Sequence, residues 1–503
     1  MGVDTQRHAE EGRAAAAELL RGGRLGIGGA RRPVLPASWI AFDAEVRRHH
    51  SPWFPGPRGA DRIEVRLCHP DGRIREAALR VADPPLPLVA IRCADWVPAV
   101  RERARQVLAG SLAADPARTL LDLTPLVLRL AGREQGRWAR ELFEEALGAE
   151  DPVLSPWWRP ARPAQWWRPA RDARTMTGEQ PDTVLGWLRR SGDLATRRFA
   201  TRITLDAGLF GVRELARRAG EERDPATARL WADAALAALA ADGPDDEAIG
   251  LLLRGHMPVV RSGGVTALRR AGRSGEAAGF LADRSGLVRA CARWLVKQGG
   301  KDPYAHCRAL VEDPARVSAY AVTGFAECAR RADAPLLRGL LDHPAGAVRA
   351  AAVAALRLLD TTDVDLLRPL LDDPSAAVAR EASVSLAGAG ERLPADWLLE
   401  RIAPDRPAHT RRAAYRVLHA RGGVIGLRAS VELLADADPG LRRVAAQRVQ
   451  SLWSPYRPCE LPRGDPEVAA LLDRCTGLFS AHVMERMRSR LGIPRAASEP
   501  IGQ

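Results

Sequence analysis

The stretch LLDHPAGAVRAAAVAALRLLDTTDVDLLRPLLDDPSAAVAREASVSL, residues 340–386, carries one pattern twice. Its arms, LLDHPAGAVRAAAVAAL (340–356) and LLDDPSAAVAREASVSL (370–386), start 30 residues apart. Each reads as a leucine pair, an Asp/Pro turn, and an alanine-rich run whose apolar positions fall every three to four residues. That is helix periodicity interrupted by a helix-starting turn.

Worked outward, the pattern runs through most of the chain. Arg349 is one of a column at Arg197, Arg229, Arg261, Arg289, Ser318, Arg349, Ala379, Arg411 and Arg442, spaced 28 to 32 residues apart. Three residues after each column position stands a small residue, as at Ala292, Ala352 and Ala414. One before and seven after are mostly apolar, as at Val348 and Leu356. Offsets of −1, +3 and +7 lie on one helix face, and a small residue at its centre lets another helix approach closely. Asp224-Pro225, Asp313-Pro314, Asp373-Pro374 and Asp438-Pro439 place an N-cap residue and a first-turn proline ahead of such helices. Shorter apolar segments precede them, among them 336–341, 364–371, 397–402 and 427–434. Each unit is therefore a short helix A, a tight turn and a helix B. Such a pair cannot close its own core and must stack on its neighbours. Upstream units surround Arg75 and Arg101, and helices near 117–130 and 133–147 form one more. The expected fold is all-α, an α-solenoid of helix pairs in a right-handed superhelix.

The runs at 340–356 and 370–386 resemble the HEAT-repeat family, in its bacterial branch of phycobilisome-lyase-type repeats. The resemblance covers roughly 58–148 and 181–453. It implies that turn aspartates and helix-B arginines form a ladder between neighbouring repeats, here Asp342, Asp373 and Asp438 with Arg349, Arg411 and Arg442. Ala379 departs from this, with Arg380 one place on, which breaks the ladder there. The expected organisation is an N-terminal cap and linker at 1–57, a first block at 58–148, an irregular insertion at 149–180, the main solenoid at 181–453, and a C-terminal cap and tail at 454–503.

The insertion holds SPWWRPAR (155–162) and AQWWRPAR (164–171), an imperfect duplication whose prolines forbid a regular helix. The plainer reading of Trp157, Trp158, Arg159, Trp166, Trp167 and Arg168 is a plug folded onto the repeats. The sharper one is a recognition loop, with Trp as anchor and Arg for carboxylate or phosphate. Gly26-Ile27-Gly28-Gly29 lacks the spacing of a phosphate loop. His49-His50 beside Trp53-Phe54 reads as a loop cluster without a partner carboxylate.

The formal charge of +13 invites a polyanion partner. Yet Lys297 and Lys301 are the sole lysines, a skew that GC-rich coding produces without any binding role. Seven cysteines form no CxxC pair, which suits reduced thiols and a cytoplasmic protein. Cys68-His69 and His306-Cys307 fit no zinc spacing. The N-terminus has no apolar signal core, and no apolar run reaches membrane-spanning length. No hydrolase, metalloprotease or nucleotide-binding motif is present.

These features point to a non-catalytic scaffold binding a protein or peptide partner on a concave B-helix surface, with no cofactor and no metal. The alternative is nucleic-acid binding, with the Arg column tracking a phosphate backbone. HEAT-like alkylpurine DNA glycosylases offer that precedent by resemblance. A lyase-type enzyme is a weaker third reading, lacking a nucleophile and base. A position fixed in nearly every repeat serves stacking rather than recognition, which favours the ladder for the Arg column.

Overall fold

The structure, a computed structural model, describes residues 3–25, 33, 35–49, 59–149, 183–452 and 461–494. It is an all-α solenoid of HEAT-like helix pairs, and the described residues contain no strand beyond isolated bridge positions. Contacts divide the chain into two compact units, Met1–Ala271 and Gly272–Gln503.

The first unit opens with α1 (Val3–Leu20) and α2 (Pro36–His49). Helix pairs follow: α3 (Ile63–Leu67) with α4 (Gly72–Ala78), α5 (Leu86–Arg92) with α6 (Pro98–Ala114), and α7 (Pro116–Leu130) with α8 (Arg137–Ala149). Next come α9 (Val184–Arg189) with α10 (Leu194–Asp206), α11 (Val212–Glu221) with α12 (Pro225–Ala241), and α13 (Asp246–Leu253) with α14 (Pro258–Arg270). The B helices α10, α12 and α14 pack in sequence, as do the A helices α11 and α13.

The second unit begins with a 3-10 helix (Ser274–Phe280) and α15 (Gly286–Gln298). It continues with α16 (Pro303–Glu312) and α17 (Ala319–Ala326), α18 (Ala334–Gly339) and α19 (Gly346–Leu358), and α20 (Val364–Leu367) and α21 (Ala376–Leu386). The last pairs are α22 (Ala395–Glu400) with α23 (Ala408–Arg421), α24 (Gly423–Glu432) with α25 (Pro439–Leu452), and α26 (Pro466–Asp473) with α27 (Ala481–Leu491). B helices α17, α19, α21 and α23 stack one on the next.

The periodic positions are what this stacking buries. Ala352, Ala382 and Ala414 are wholly covered, and so are Leu386 and Leu418 four residues further along their helices. Burying a Val or Leu of this kind stabilises by about 1.5–3 kcal/mol. At Gly264, the equivalent small position on α14, a Cβ would lie 2.7 Å from the backbone nitrogen of Leu253, so nothing larger fits.

Two features differ from the sequence expectation. The region expected as a cap and linker contains a second helix, α2, whose Trp39, Phe42 and Val46 join the same core as α5 and α7. These residues have helical spacing, and the helix begins at Pro36. His49 accordingly ends a helix, and contrary to the expectation it has a carboxylate beside it: its Nδ1 lies 3.0 Å from the Glu45 carbonyl and 3.4 Å from the Glu45 carboxylate. The other difference is at the turns. Of the four Asp-Pro turns named above, only Asp224 and Asp438 directly precede a helix that starts with their proline. α21 starts at Ala376 behind Ser375, and α17 at Ala319 behind Ser318, so Asp373 and Asp313 are not the N-caps of those helices and end the preceding ones instead.

Candidate functional site

The arginine column obeys a simple rule. Arg75, Arg101, Arg197, Arg261, Arg289, Arg349, Arg411 and Arg442 each stand three residues after the first residue of their helix. From there the side chain reaches back over the first turn to the free carbonyls of the preceding loop. Arg75 donates to the His69 carbonyl at 2.7 Å, Arg101 to Asp95 at 2.9 Å, Arg261 to Gly255 at 3.0 Å, and Arg289 to Asp283 at 2.7 Å. Arg349 does the same to His343 at 2.8 Å, each time six residues back. The guanidinium thus satisfies backbone acceptors that the turn leaves unpaired.

Its remaining N–H groups reach across to the next pair. Arg75 forks onto Asp95 at 3.0 and 2.7 Å, and Arg349 onto Asp373 at 2.9 and 2.7 Å. Arg197 meets Glu222 at 3.0 Å and Arg411 meets Asp436 at 2.9 Å. The receiving aspartate also holds its own turn: Asp95 accepts from the Val97 N–H, Asp373 from Ser375 and Asp436 from Asp438. One carboxylate therefore closes its own loop and ties the preceding pair to it.

The ladder differs in register from the one implied by the family resemblance. The receiving position next to Asp342 is His343; Asp342 itself is exposed. His343 caps the turn through Nδ1, which accepts from the Ala345 N–H at 3.1 Å. No arginine arrives there from the preceding pair, because the column residue of that pair is Ser318, which caps α17 instead. Asp438 pairs with Arg412, not with a column arginine, since Asp436 occupies the receiving position. Arg442 binds only carbonyls, those of Asp436 and Ala437, among the described residues. Arg229 leaves the ladder because α12 starts four residues before it rather than three; it is 70% exposed and faces Asp233. At Ala379 the Asp373 carbonyl is taken by His409 Nε2 at 3.1 Å, and since a carbonyl only accepts, that nitrogen carries the hydrogen.

In the first unit the ladder merges with a buried charge cluster. Arg92 contacts Asp43 at 2.6 Å and Asp95 at 3.2 Å, and Arg47 contacts Asp43 at 3.2 Å. Burial pushes the Asp43 carboxyl above its ordinary range, against the pull of Arg47. Burial and the neighbouring Asp43 push the Cys68 thiol well up, so it is inert at neutral pH. Cys307 on α16 shares a hydrogen bond with Cys328 just past α17. Among the described residues, no group of three or more His, Cys, Asp and Glu is placed to hold a metal.

The side chains left open are on the other side of the B helices. Among the described residues of the second unit, the exposed large hydrophobics are Leu287 and Trp294 on α15, Tyr320 on α17, Leu358 on α19, Val384 on α21 and Val444 on α25. All stand on B helices. They occupy the sector centred two, five and nine residues past the column, opposite the buried stripe. At the flank of that sector, one and five residues past the column, α21, α23 and α25 carry Arg380, Arg412, Arg416 and Arg443. The sequence signal for these was the doublets Arg411-Arg412 and Arg442-Arg443: one residue along a helix is a 100° turn, so the first arginine faces the seam and the second the open face.

Trp157, Trp158, Arg159, Trp166, Trp167 and Arg168 lie outside the described residues. No helix among the described residues is long and apolar enough to cross a membrane.

No family model and no curated protein matches the chain. Among solved structures it is similar to importin beta, crystallised in an ammonium sulfate condition. The match has 13% identity and a TM-score of 0.27, and it covers 97% of this chain and 64% of that one. The chain thus spans less than two thirds of importin beta's length. A superposition this loose says nothing about binding, and the solenoid is established by the helix-pair packing itself.

Proposed function

We propose that this protein is a non-catalytic scaffold that grips a segment of a protein partner along the B-helix face of its second unit. The observation that carries this reading is that, among the described residues of the second unit, every exposed large hydrophobic stands on that face. Scattered apolar residues are ordinary on a surface, but their collection on one face of a repeat array marks a contact surface. Trp294 and Tyr320 are the residue types that anchor interfaces. We also propose that the Trp/Arg-rich segment around 157–168 supplies a second anchor.

The nucleic-acid reading draws no support from the arginine column, whose guanidinium groups are largely committed to turn carbonyls and neighbouring carboxylates. The test is a peptide-display selection on the full chain, with the selected peptides then measured against a W294S/Y320S variant and a variant lacking 152–175. The reading expects the selected peptides to lose most of their affinity for W294S/Y320S. Equal affinity for that variant and the unaltered chain would overturn it.

A further inference from the structure

The B-helix face of the second unit changes character along its length. One and five positions past the column, α15, α17 and α19 carry Ala290 and Trp294, Ala319 and Thr323, Ala350 and Ala354, of which Ala350 is buried. The later helices present arginine there: Arg380 on α21, Arg412 and Arg416 on α23, and Arg443 on α25. Arg448 adds to them, stacked 5.6 Å over the Tyr415 ring.

These guanidinium groups outnumber the carboxylates that face them. Glu381 is shared between Arg357 and Arg380, each at 2.8 Å, and Asp438 is held by Arg412. Arg416 donates to the Ser383 hydroxyl. Arg416, Arg443 and Arg448 have no carboxylate partner among the described residues. Partial burial and the like charges of Arg448 and Arg380 hold Arg416 below the usual arginine range, with Glu381 opposing them. Such a group is stabilised when an anion enters.

Resting on the reading that this face is the binding face, we propose that the Arg380, Arg412, Arg416, Arg443 and Arg448 cluster docks an acidic segment of the protein partner, its Asp and Glu side chains pairing with the guanidinium forks. The extent of the cluster favours a peptide. Three stacked helices span roughly 20 Å at about 8–10 Å per step, the reach of about six extended residues. Val384 and Val444 border the arginines, and the face continues into the uncharged Trp294 and Tyr320 surface. A short acidic stretch flanked by apolar residues is complementary to that layout. A nucleic-acid backbone presents charge at every step, whereas the arginines concentrate on α21, α23 and α25.

The test uses the full chain and fluorescence anisotropy at low salt. The probes are a labelled (Glu-Glu-Leu)4 peptide, its (Gln-Gln-Leu)4 counterpart and a twelve-residue oligo-dT. The variants are R443E, which reverses an exposed charge without an ion pair to break, the triple R416Q/R443Q/R448Q, and W294S/Y320S. The expected result is binding of the acidic peptide that weakens with salt, falls about tenfold or more in the triple variant and several-fold in R443E, and is absent with the Gln peptide. Acidic-peptide binding that is undetectable, or unchanged in the triple variant, overturns the proposal. Tighter binding of oligo-dT that the triple variant abolishes also overturns it and assigns the cluster to nucleic acid. If the triple variant keeps the acidic peptide while W294S/Y320S loses it, the binding face stands and the charge assignment falls. If the triple loses it and W294S/Y320S keeps it, acidic docking stands and the apolar anchoring falls.

Discussion

Arg75 and Arg349 make the same contacts in different surroundings. Each donates to the carbonyl six residues back and forks onto the aspartate of the next pair. In the first unit, Arg75 and Asp95 are both fully buried, with Arg92 and Arg47 close by. In the second unit, the side chains of Arg349 and Asp373 keep 13% and 7% of their exposure, and water reaches the edge of the pair. One sequence device therefore has two energetic values, and the surroundings set which. Removing one partner of a fully buried pair strands the other charge in a medium that cannot solvate it; at the edge, water takes up part of the loss.

The comparison can be broken at several points. The largest effect is expected for R75A or D95N, about 3–5 kcal/mol, read as lost hydrogen-exchange protection across 63–114. A loss no greater than that of R349A would erase the distinction between the two seams. R349A itself should cost about 2 kcal/mol, from charged hydrogen bonds only partly replaced by water. Exchange should rise in α19 and α21 while the first unit is unaffected.

D224N tests a further link, between α10 and α12, by pH. Arg198 beside Asp224, at 2.9 and 2.7 Å, and the cap bonds from Thr227 hold its carboxyl well below the usual range. A depressed folded-state pKa gives stability that is fully present above the unfolded value near 3.9 and is lost as pH falls through the folded one. D224N should therefore cost about 1–2 kcal/mol at pH 7. Its unfolding curve should converge on the unaltered protein's as acid is added below about pH 4. Asp43 has the opposite sign: its raised pKa means that ionisation above about pH 4 costs the fold stability. H409A should cost about 1 kcal/mol by freeing the Asp373 carbonyl where Ala379 cannot serve it. R443E should shift stability by no more than about 0.5 kcal/mol, because that side chain belongs to the open face and not to a seam.

The periodic part of this architecture was legible from residues alone. Val348, Ala352 and Leu356 recur at fixed offsets, and the helix face they define is the one that is buried. The ladder partners were harder to read, because the receiving position lies six residues before the column while the turn aspartate stands four to seven before it. That variation puts His343 where Asp342 was expected, and Asp436 where Asp438 was. α2 escaped because prolines flank a helix that carries its own apolar stripe. The open face escaped for a different reason. Binding residues need not repeat, so Trp294, Tyr320 and Arg443 stand out only once the seam has claimed its own arginines.

The seam also gives the stack a direction. Each linking pair offers a guanidinium forward and a carboxylate backward, like a hook and an eye, and His343 fills the eye where, among the described residues, no hook arrives. At the far end Arg442 is a hook without an eye among the described residues. A second copy of the α24–α25 pair, inserted directly after the first, would bring its own Asp436 to that arginine. The array would lengthen by one link with no mismatched junction.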